Sequence, residues 1–365
     1  MLKDLQDLLP GIASRETADP ERYPMESVGA LYAASVPNAP FPAQLGGEGA
    51  TCAEATTAIE LLATSSPSLA LIASMPLGLA GCLALFPKGP DEAATRAARE
   101  QAEAIAVDYR AGRVYAACNS EKGAGGSLAA TKTVAARADD GGFLISGEKI
   151  LASSGKFASV FFSTAKVPPE QLPGTGVVEF FFVDTTAPGV EILSDWNGFG
   201  MRSTESQTVR YASAPATSLL GFPNYLELVQ PIQYFYCLFA AIPLGCARSI
   251  LEALGKPTPD SPALRFRLSE AQMRYESLRA YLIETASAFR TAAGPAYAAR
   301  VLRTKTFVTQ EATKLCAELF ALSGGRHYSR SSPVARSFAD AFAGTALRPP
   351  LALGLESLTE QFALD

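Results

Sequence analysis

Histidine is almost missing from this chain, with His327 the one example in 365 residues. Cysteine occurs six times (Cys52, Cys82, Cys118, Cys237, Cys246 and Cys316) but never as a CxxC pair. A zinc or iron centre built from imidazole and thiolate therefore has too few donors at workable spacing. Scattered cysteines of this kind read as buried, reduced thiols. Charge is sparse as well: 18% of residues are charged, 31 basic against 36 acidic, with no cluster of lysine and arginine. A net charge of −5 without a basic stripe excludes nucleic acid as an expected partner. The N-terminal residues include Asp4 and Asp7 and lack the basic-then-apolar order of a secretory leader. The most apolar stretch, 69–86, is broken by Ser74, Pro76 and two glycines, so it reads as a buried helix pair rather than a membrane span. A cytoplasmic protein with no membrane partner is the expectation.

Apolar side chains, by contrast, make up 48% of the chain. That is more than a lone monomer comfortably hides, and it favours an oligomer. Their spacing changes along the sequence. Residues 54–64 (EATTAIELLAT), 68–86 and 91–109 are built from good helix formers, interrupted at 36–49 (VPNAPFPAQLGGEG) by a Pro/Gly-rich loop. Between 114 and 211 short runs rich in Val, Phe, Ile and Thr (131–136, 143–145, 160–163, 177–183) alternate with Gly/Asp clusters. Among these clusters Asp139-Asp140-Gly141-Gly142 reads as a hairpin turn. After Pro223 the helical period returns: Leu268, Ala271, Tyr275, Leu278 and Leu282, then Val308, Ala312, Leu315, Leu319 and Leu322, step by three and four. Gly324-Gly325 ends the second stripe as a C-cap would. The reading is an α+β chain in three units: an N-terminal helical domain (1–112), a central small β-barrel or sandwich (113–222) and a C-terminal bundle of about four helices (223–365).

The segment richest in chemical implication is 117–127, ACNSEKGAGGS. Its glycines let backbone amides approach a ligand, and Ser120 offers a hydroxyl to a polar ring edge. By itself such a loop is usually a turn, and it is not a GxGxxG following a strand. Its meaning comes from the order of further segments: FPAQLGGEG (41–49), SGEK (146–149) leading into LASSG (151–155), DTTAPGVEI (184–192), WNGFGMRSTES (196–206) and Gly324-Gly325. In that order, over about residues 30–345, the chain resembles the acyl-CoA dehydrogenase family. The resemblance implies a helical, β, then four-helical fold that holds FAD at the junction, assembles as a dimer or tetramer and serves lipid metabolism.

It also implies roles for single positions. Ser120 stands where a family hydroxyl meets the isoalloxazine; Gly123, Ala124 and Gly125 match its "GAG". Leu151 replaces a tryptophan that packs by the flavin, and Ser153 is a second hydroxyl at the flavin edge. Gly324 and Gly325 match a pair that lets the adenylate half lie close. Gly126 and Tyr236 fall on the substrate side, and Arg202 matches a structural arginine with a buried ion pair as its expected role.

The departures are as informative. Family dehydrogenation of an acyl-CoA thioester needs a carboxylate to remove the α-proton. Counted without gaps, that position is Arg348, which cannot take a proton; shifted to Gly344-Thr345 it is Ala343. The alternative site on the first C-terminal helix is Phe235. Other candidates are Glu121, expected to be structural, Glu227, expected to be a solvated helix-entry charge, and His327, whose ring could titrate near neutrality. The family's loop that reaches a neighbouring subunit's pyrophosphate is missing from 255–265, where only Arg265 comes close. Three functions remain open: an acyl-CoA dehydrogenase or divergent variant, a base-less subunit of a heteromer, and a flavin monooxygenase or oxidase. The catalytic base is unknown.

Overall fold

The computed structural model describes residues 1–84, 86, 88–139, 141–172, 178–256, 258–290 and 294–362. Asp140 of the expected hairpin turn and Val177 of the expected strand lie outside the described residues.

Helices come first: α1 (Leu2–Ala18), α2 (Met25–Ala33), α3 (Cys52–Ser65), α4 (Pro67–Leu83) and α5 (Glu92–Arg110). Local chemistry sets their starts. Thr51 and Glu54 form a capping box at α3, while Ser66 and Asp91 accept from the third backbone N–H of α4 and α5. The stretch expected to be a helix pair is instead one helix, α4, buried along its whole length. Pro76 does not break it, because the helix is buried along its whole length and side chains add bonds around the proline: Ser74 donates to Leu71 O (2.7 Å) and Tyr109 to Pro76 O (3.1 Å). Gly78 and Gly81 sit where the Phe235 and Tyr234 rings press on α4; a Cβ at either would lie 2.2 Å from a ring carbon. A methyl there costs about 1–3 kcal/mol by overpacking.

The expected barrel or sandwich takes the form of one curled mixed sheet. Its strands are β1 (Tyr115–Ala117), β2 (Val134–Arg137), β3 (Phe143–Ala152), β4 (Val160–Lys166), β5 (Val178–Asp184), β6 (Val190–Ile192), β7 (Gln207–Ala216) and β8 (Ser218–Leu219). Their order is β6-β7-β3-β2-β4-β5-β8, with β1 parallel to β4. Both faces of β4 and β5 are covered, which is why 160–162 and 180–183 read as unbroken apolar runs. Val160, Phe162, Phe180 and Phe182 join the helical core. Phe161, Ala165, Phe181 and Val183 join a second core, with Ile145 and Tyr211, inside the curl of the sheet.

The short α6 (Tyr225–Val229) is followed by α7 (Ile232–Gly255), α8 (Pro262–Ser287), α9 (Pro295–Leu322), α10 (Pro333–Ala341), α11 (Ala343–Ala346) and α12 (Leu351–Phe362). Helix α7 is long and apolar enough to cross a membrane by length and composition, yet it is the central helix here, packed by α3, α4, α8, α9 and α10. Of the two expected stripes, Ala271, Tyr275, Leu278, Leu282, Val308, Ala312, Leu315 and Leu319 are buried, whereas Leu322 is exposed at the helix end.

Two buried lysines tie loops to this frame. Lys149 on β3, with no exposed surface, reaches Glu121 Oε1 (2.6 Å) and the Thr164 hydroxyl (3.1 Å). Glu121 also accepts from the Lys132 N–H (2.5 Å) and from the N–H and hydroxyl of Thr133 (3.0 and 2.7 Å). These donors outweigh the burial that opposes them and hold its pKa down to about 2. Glu121 is therefore an ionised anchor for the Gly-rich turn. On α9, Lys305 donates to Gly344 O (3.1 Å), Leu347 O (2.7 Å) and Pro349 O (2.6 Å) and so pins residues 344–349. Burial draws its pKa down to about 7, against which three carbonyl acceptors favour the ammonium.

A third tie is acidic. Asp340 on α10 accepts from the Met201 N–H (2.6 Å) and holds the 198–204 loop against the helix. Burial raises its pKa to about 7 despite that bond and despite Arg336 and Arg202; Glu16 adds to the rise.

Lys149→Met leaves Glu121 charged and buried, and urea unfolding should show a loss of about 3–5 kcal/mol; a change below 1 kcal/mol would mean the pair is not an anchor. For Asp340 the folded pKa lies above the free value of 3.8, so the folded state binds the extra proton. Its stability contribution is complete below pH 3.8 and is lost as pH rises through about 7. Asp340→Asn should therefore flatten the pH dependence of melting across that window, and should gain on the parent protein at the alkaline end.

Candidate functional site

The three layers meet around one cavity of about 360 Å³. Leu71, Met75 and Leu79 of α4 form one wall, Phe235 and Phe239 of α7 another, and Phe162 and Phe180 of the sheet a third. Trp196, Phe199 and Met201 come from the 196–206 loop, which follows β6. Leu347 and Arg348 come from the segment that Lys305 pins. At the mouth, Leu151 and Phe199 are 49% and 72% exposed, large apolar side chains left for a ligand to cover.

Few polar groups reach this space, and their roles can be worked out. The Thr204 hydroxyl donates to Met201 O (2.8 Å), a carbonyl that can only accept. Ser206, 2.6 Å away, must then donate to Thr204, and Ser153, 3.0 Å from Ser206, must donate to Ser206. Ser153 is thus left with lone pairs alone and meets a ligand as an acceptor. Ser120, bridged to Ile150 by its backbone, has a hydroxyl with no hydrogen-bond partner among the described residues. Asn119 is fixed by accepting from the Thr164 N–H (3.0 Å). Arg348 donates to Gly126 O and, at 3.5 Å, to Asn119 O.

Among the described residues, no carboxylate lines the cavity and Arg348 is the one charged group that does. Neither possible base position supplies a base: Arg348 is a cation, Ala343 a methyl, and both face the cavity, as does Phe235 at the alternative position. Glu121 is saturated by its four donors. Glu227 stands in the first turn of α6 and is no part of the lining. His327 accepts from Arg326 Nε (2.9 Å) at Nε2 and meets Ser332 through Nδ1 (3.0 Å), with burial and Arg326 lowering its pKa.

Of the residues singled out in the sequence, the cavity brings together Ser120, Leu151 and Ser153 with Phe235, Ala343 and Arg348 of the possible base positions. Gly123 and Gly125 are exposed and Ala124 is buried in the turn; none of the three lines it. Gly126, at φ +87°, turns the chain against Pro350, whose Cδ a Cβ would meet at 2.3 Å. Its contact is with the C-terminal segment, and Tyr236, half-buried beside Arg348, likewise stays off the lining. Gly324 and Gly325 are exposed and do not reach the cavity. Arg202 pairs with Glu21. Arg265 caps its own loop through Pro259 O and Asp260 O (2.8 and 3.0 Å).

Sequence reasoning missed Asn119, Ser206, Trp196, Phe199 and the α4 wall. Trp196 and Phe199 lay inside a motif noted for its order, and paired aromatics beside glycines were the available signal. Nothing in the α4 pattern separates a pocket wall from core.

A flat tricyclic ring such as a flavin's asks for apolar faces and a few polar partners along one edge. The free Ser120 hydroxyl, the Ser153 lone pairs and the surrounding apolar walls fit that demand.

Comparison with known proteins gives the lineage. The chain is 23% identical, over 87% of its length and 84% of the other's, to the "probable acyl-CoA dehydrogenase YngJ" of Bacillus subtilis (strain 168). Its fold matches butyryl-CoA dehydrogenase from Megasphaera elsdenii (TM-score 0.82, 20% identity, 99% of this chain and 98% of that one). It also matches KijD3 solved with FMN and a dTDP-linked amino sugar (TM-score 0.84, 22% identity, 99% and 93%). At these identities the structural likenesses show the fold. The acyl-CoA dehydrogenase middle-domain model matches residues 116–213 and the C-terminal-domain model residues 237–347. Together these two models span more than half of the sequence, and the chain belongs to the acyl-CoA dehydrogenase family.

Proposed function

We propose that this protein is a flavin-dependent oxidoreductase whose cavity takes the isoalloxazine ring of FAD together with a small substrate, an acyl-CoA or related molecule. The observation that carries the reading is the cavity itself: enclosed by apolar walls, open at a mouth of exposed Leu151 and Phe199, and furnished with two serine oxygens. A bound flavin supplies a two-electron acceptor. The chain's part is to present Ser153 as an acceptor and Ser120 as donor or acceptor to the ring edge, and to keep water from the remaining faces.

Three further parts of the reading go with it. The units 1–112, 113–222 and 223–365 act as the family's three domains around the junction. Gly324 and Gly325, exposed and away from this chain's own cavity, suit the adenylate half of a cofactor held by a second subunit, in a homodimer, a homotetramer or a heteromer with a homologue. The compartment is the cytoplasm, and the setting is lipid metabolism.

Arg348 favours a divergent variant within this reading. A guanidinium at the usual base position cannot remove an α-proton, and no described carboxylate replaces it. Two variants suit a site without a base: oxygen-using chemistry on the same fold, and a base-less subunit that works beside a complete homologue. Turnover that consumes oxygen with the purified chain supports the first. Turnover that appears only with the companion chain supports the second.

The test of the cofactor site is a flavin titration followed by visible absorbance and fluorescence. The parent chain should bind FAD, and Ser153→Val should weaken binding by roughly 3- to 10-fold through one lost hydrogen bond, with its melting temperature little changed. Absence of flavin binding by the parent chain, or equal affinity in the variant, would contradict the site.

A further inference from the structure

Arg348 has an incomplete set of partners. A guanidinium offers five N–H donors. Here Nη1 donates to Gly126 O and Nη2 to Asn119 O, both backbone carbonyls of the Gly-rich turn. No carboxylate of a described residue lies within ion-pair distance of it. Arg348 is half-buried and feels the Glu121 carboxylate from beyond that distance, and a guanidinium so far withdrawn from water is normally paired directly. A purely structural arginine tying its own segment to the turn would account for the two bonds. That segment is already held, however, by Lys305 through the carbonyls of Gly344, Leu347 and Pro349. The backbone on both sides of Arg348 is thus fixed by another residue, and the guanidinium is presented to the cavity from a rigid support.

We propose that Arg348 is a substrate-binding residue that takes the carboxylate of a small organic acid, whose apolar body lies along Leu71, Met75, Phe235 and Phe239. The pairing is chemically specific, since a planar guanidinium matches a carboxylate in a two-pronged arrangement that a neutral carbonyl cannot reproduce. The cavity, about 360 Å³ and walled mostly by hydrocarbon, suits a compact amphipathic acid, with the head at Arg348 and the tail toward α4 and α7. The inference rests on the flavin-site reading only in that ring and acid share the same cavity.

The experiment is calorimetric titration of the purified flavin-loaded protein with two acids, hexanoate and phenylacetate, and with their neutral amides, hexanamide and phenylacetamide. The flavin visible band is recorded in the same samples. At least one acid should bind roughly tenfold or more tightly than its amide, the ratio expected when charge-assisted bonds replace neutral ones. Arg348→Gln should abolish that ratio, and Arg348→Lys should keep part of it. The aliphatic and aromatic probes tell which kind of tail the walls accept. Acid and amide bound equally by the parent protein, no binding of either acid, or a preference that survives Arg348→Gln would each overturn the proposal. Should Arg348→Gln not fold, the acid–amide comparison on the parent protein decides alone. Calorimetry registers acid with or without flavin, so acid binding to a colourless protein would sink the flavin reading and leave this one standing.

Discussion

Two buried ammonium groups hold the rims of the cavity from behind. Lys149 anchors the Gly-rich turn through Glu121, and Lys305 anchors residues 344–349 through three carbonyls. The two loops meet at the rim of the cavity, where Arg348 donates to the Gly126 and Asn119 carbonyls, and they bring Asn119, Ser120 and Arg348 to its lining. Loops that line an apolar space would ordinarily collapse into it or fray, since their backbone groups need partners. Fixing them from the far side, with fully buried cations, leaves their near side free for a ligand. The third wall is held in a similar way by a carboxyl group, Asp340 accepting from Met201 and so holding the loop that bears Trp196 and Phe199.

Such a frame separates two things that the family resemblance had joined. On the proposed reading the place for a redox ring is kept, because such a ring needs hydroxyl edges and apolar faces, and Ser120, Ser153 and their neighbours in the lining offer both. The group for proton removal is not kept. The position that would carry a carboxylate carries a guanidinium, and the lining around it holds aromatic and aliphatic carbon. A cavity of this kind binds and orients, and it stabilises negative charge at Arg348. Proton abstraction would have to come from the substrate's own acidity, from a partner chain or from oxygen chemistry.

How much of this was legible beforehand differs from element to element. The three-part order followed from periodicity, and the strongest stripes, Ala271 to Leu282 and Val308 to Leu319, lie buried as their spacing required. Helix α4 was split in the reading because Pro76 and two glycines look like breakers. They are accommodated because the helix is packed along its whole length, with Tyr109 bonding the Pro76 carbonyl and two aromatic rings filling the glycine notches, and these partners are distant in sequence. Motif order singled out Ser120 and Ser153, which both line the cavity, and the loss of the usual carboxylate was visible as a substitution. The Ser153–Ser206–Thr204 chain was not visible, because Ser153 and Ser206 lie 53 residues apart and only the fold brings them together. Nor was the clamp by Lys305, a lysine inside an apolar helix stripe whose three acceptors lie about forty residues on.

The most direct test of the account is a crystal structure of the protein grown with FAD. The account predicts the tricyclic ring inside this cavity, with the Ser120 and Ser153 oxygens about 3 Å from its polar edge and Arg348 on the substrate side with no carboxylate beside it. A ring bound elsewhere, or a cavity closed by the protein's own side chains in the presence of saturating FAD, would contradict it.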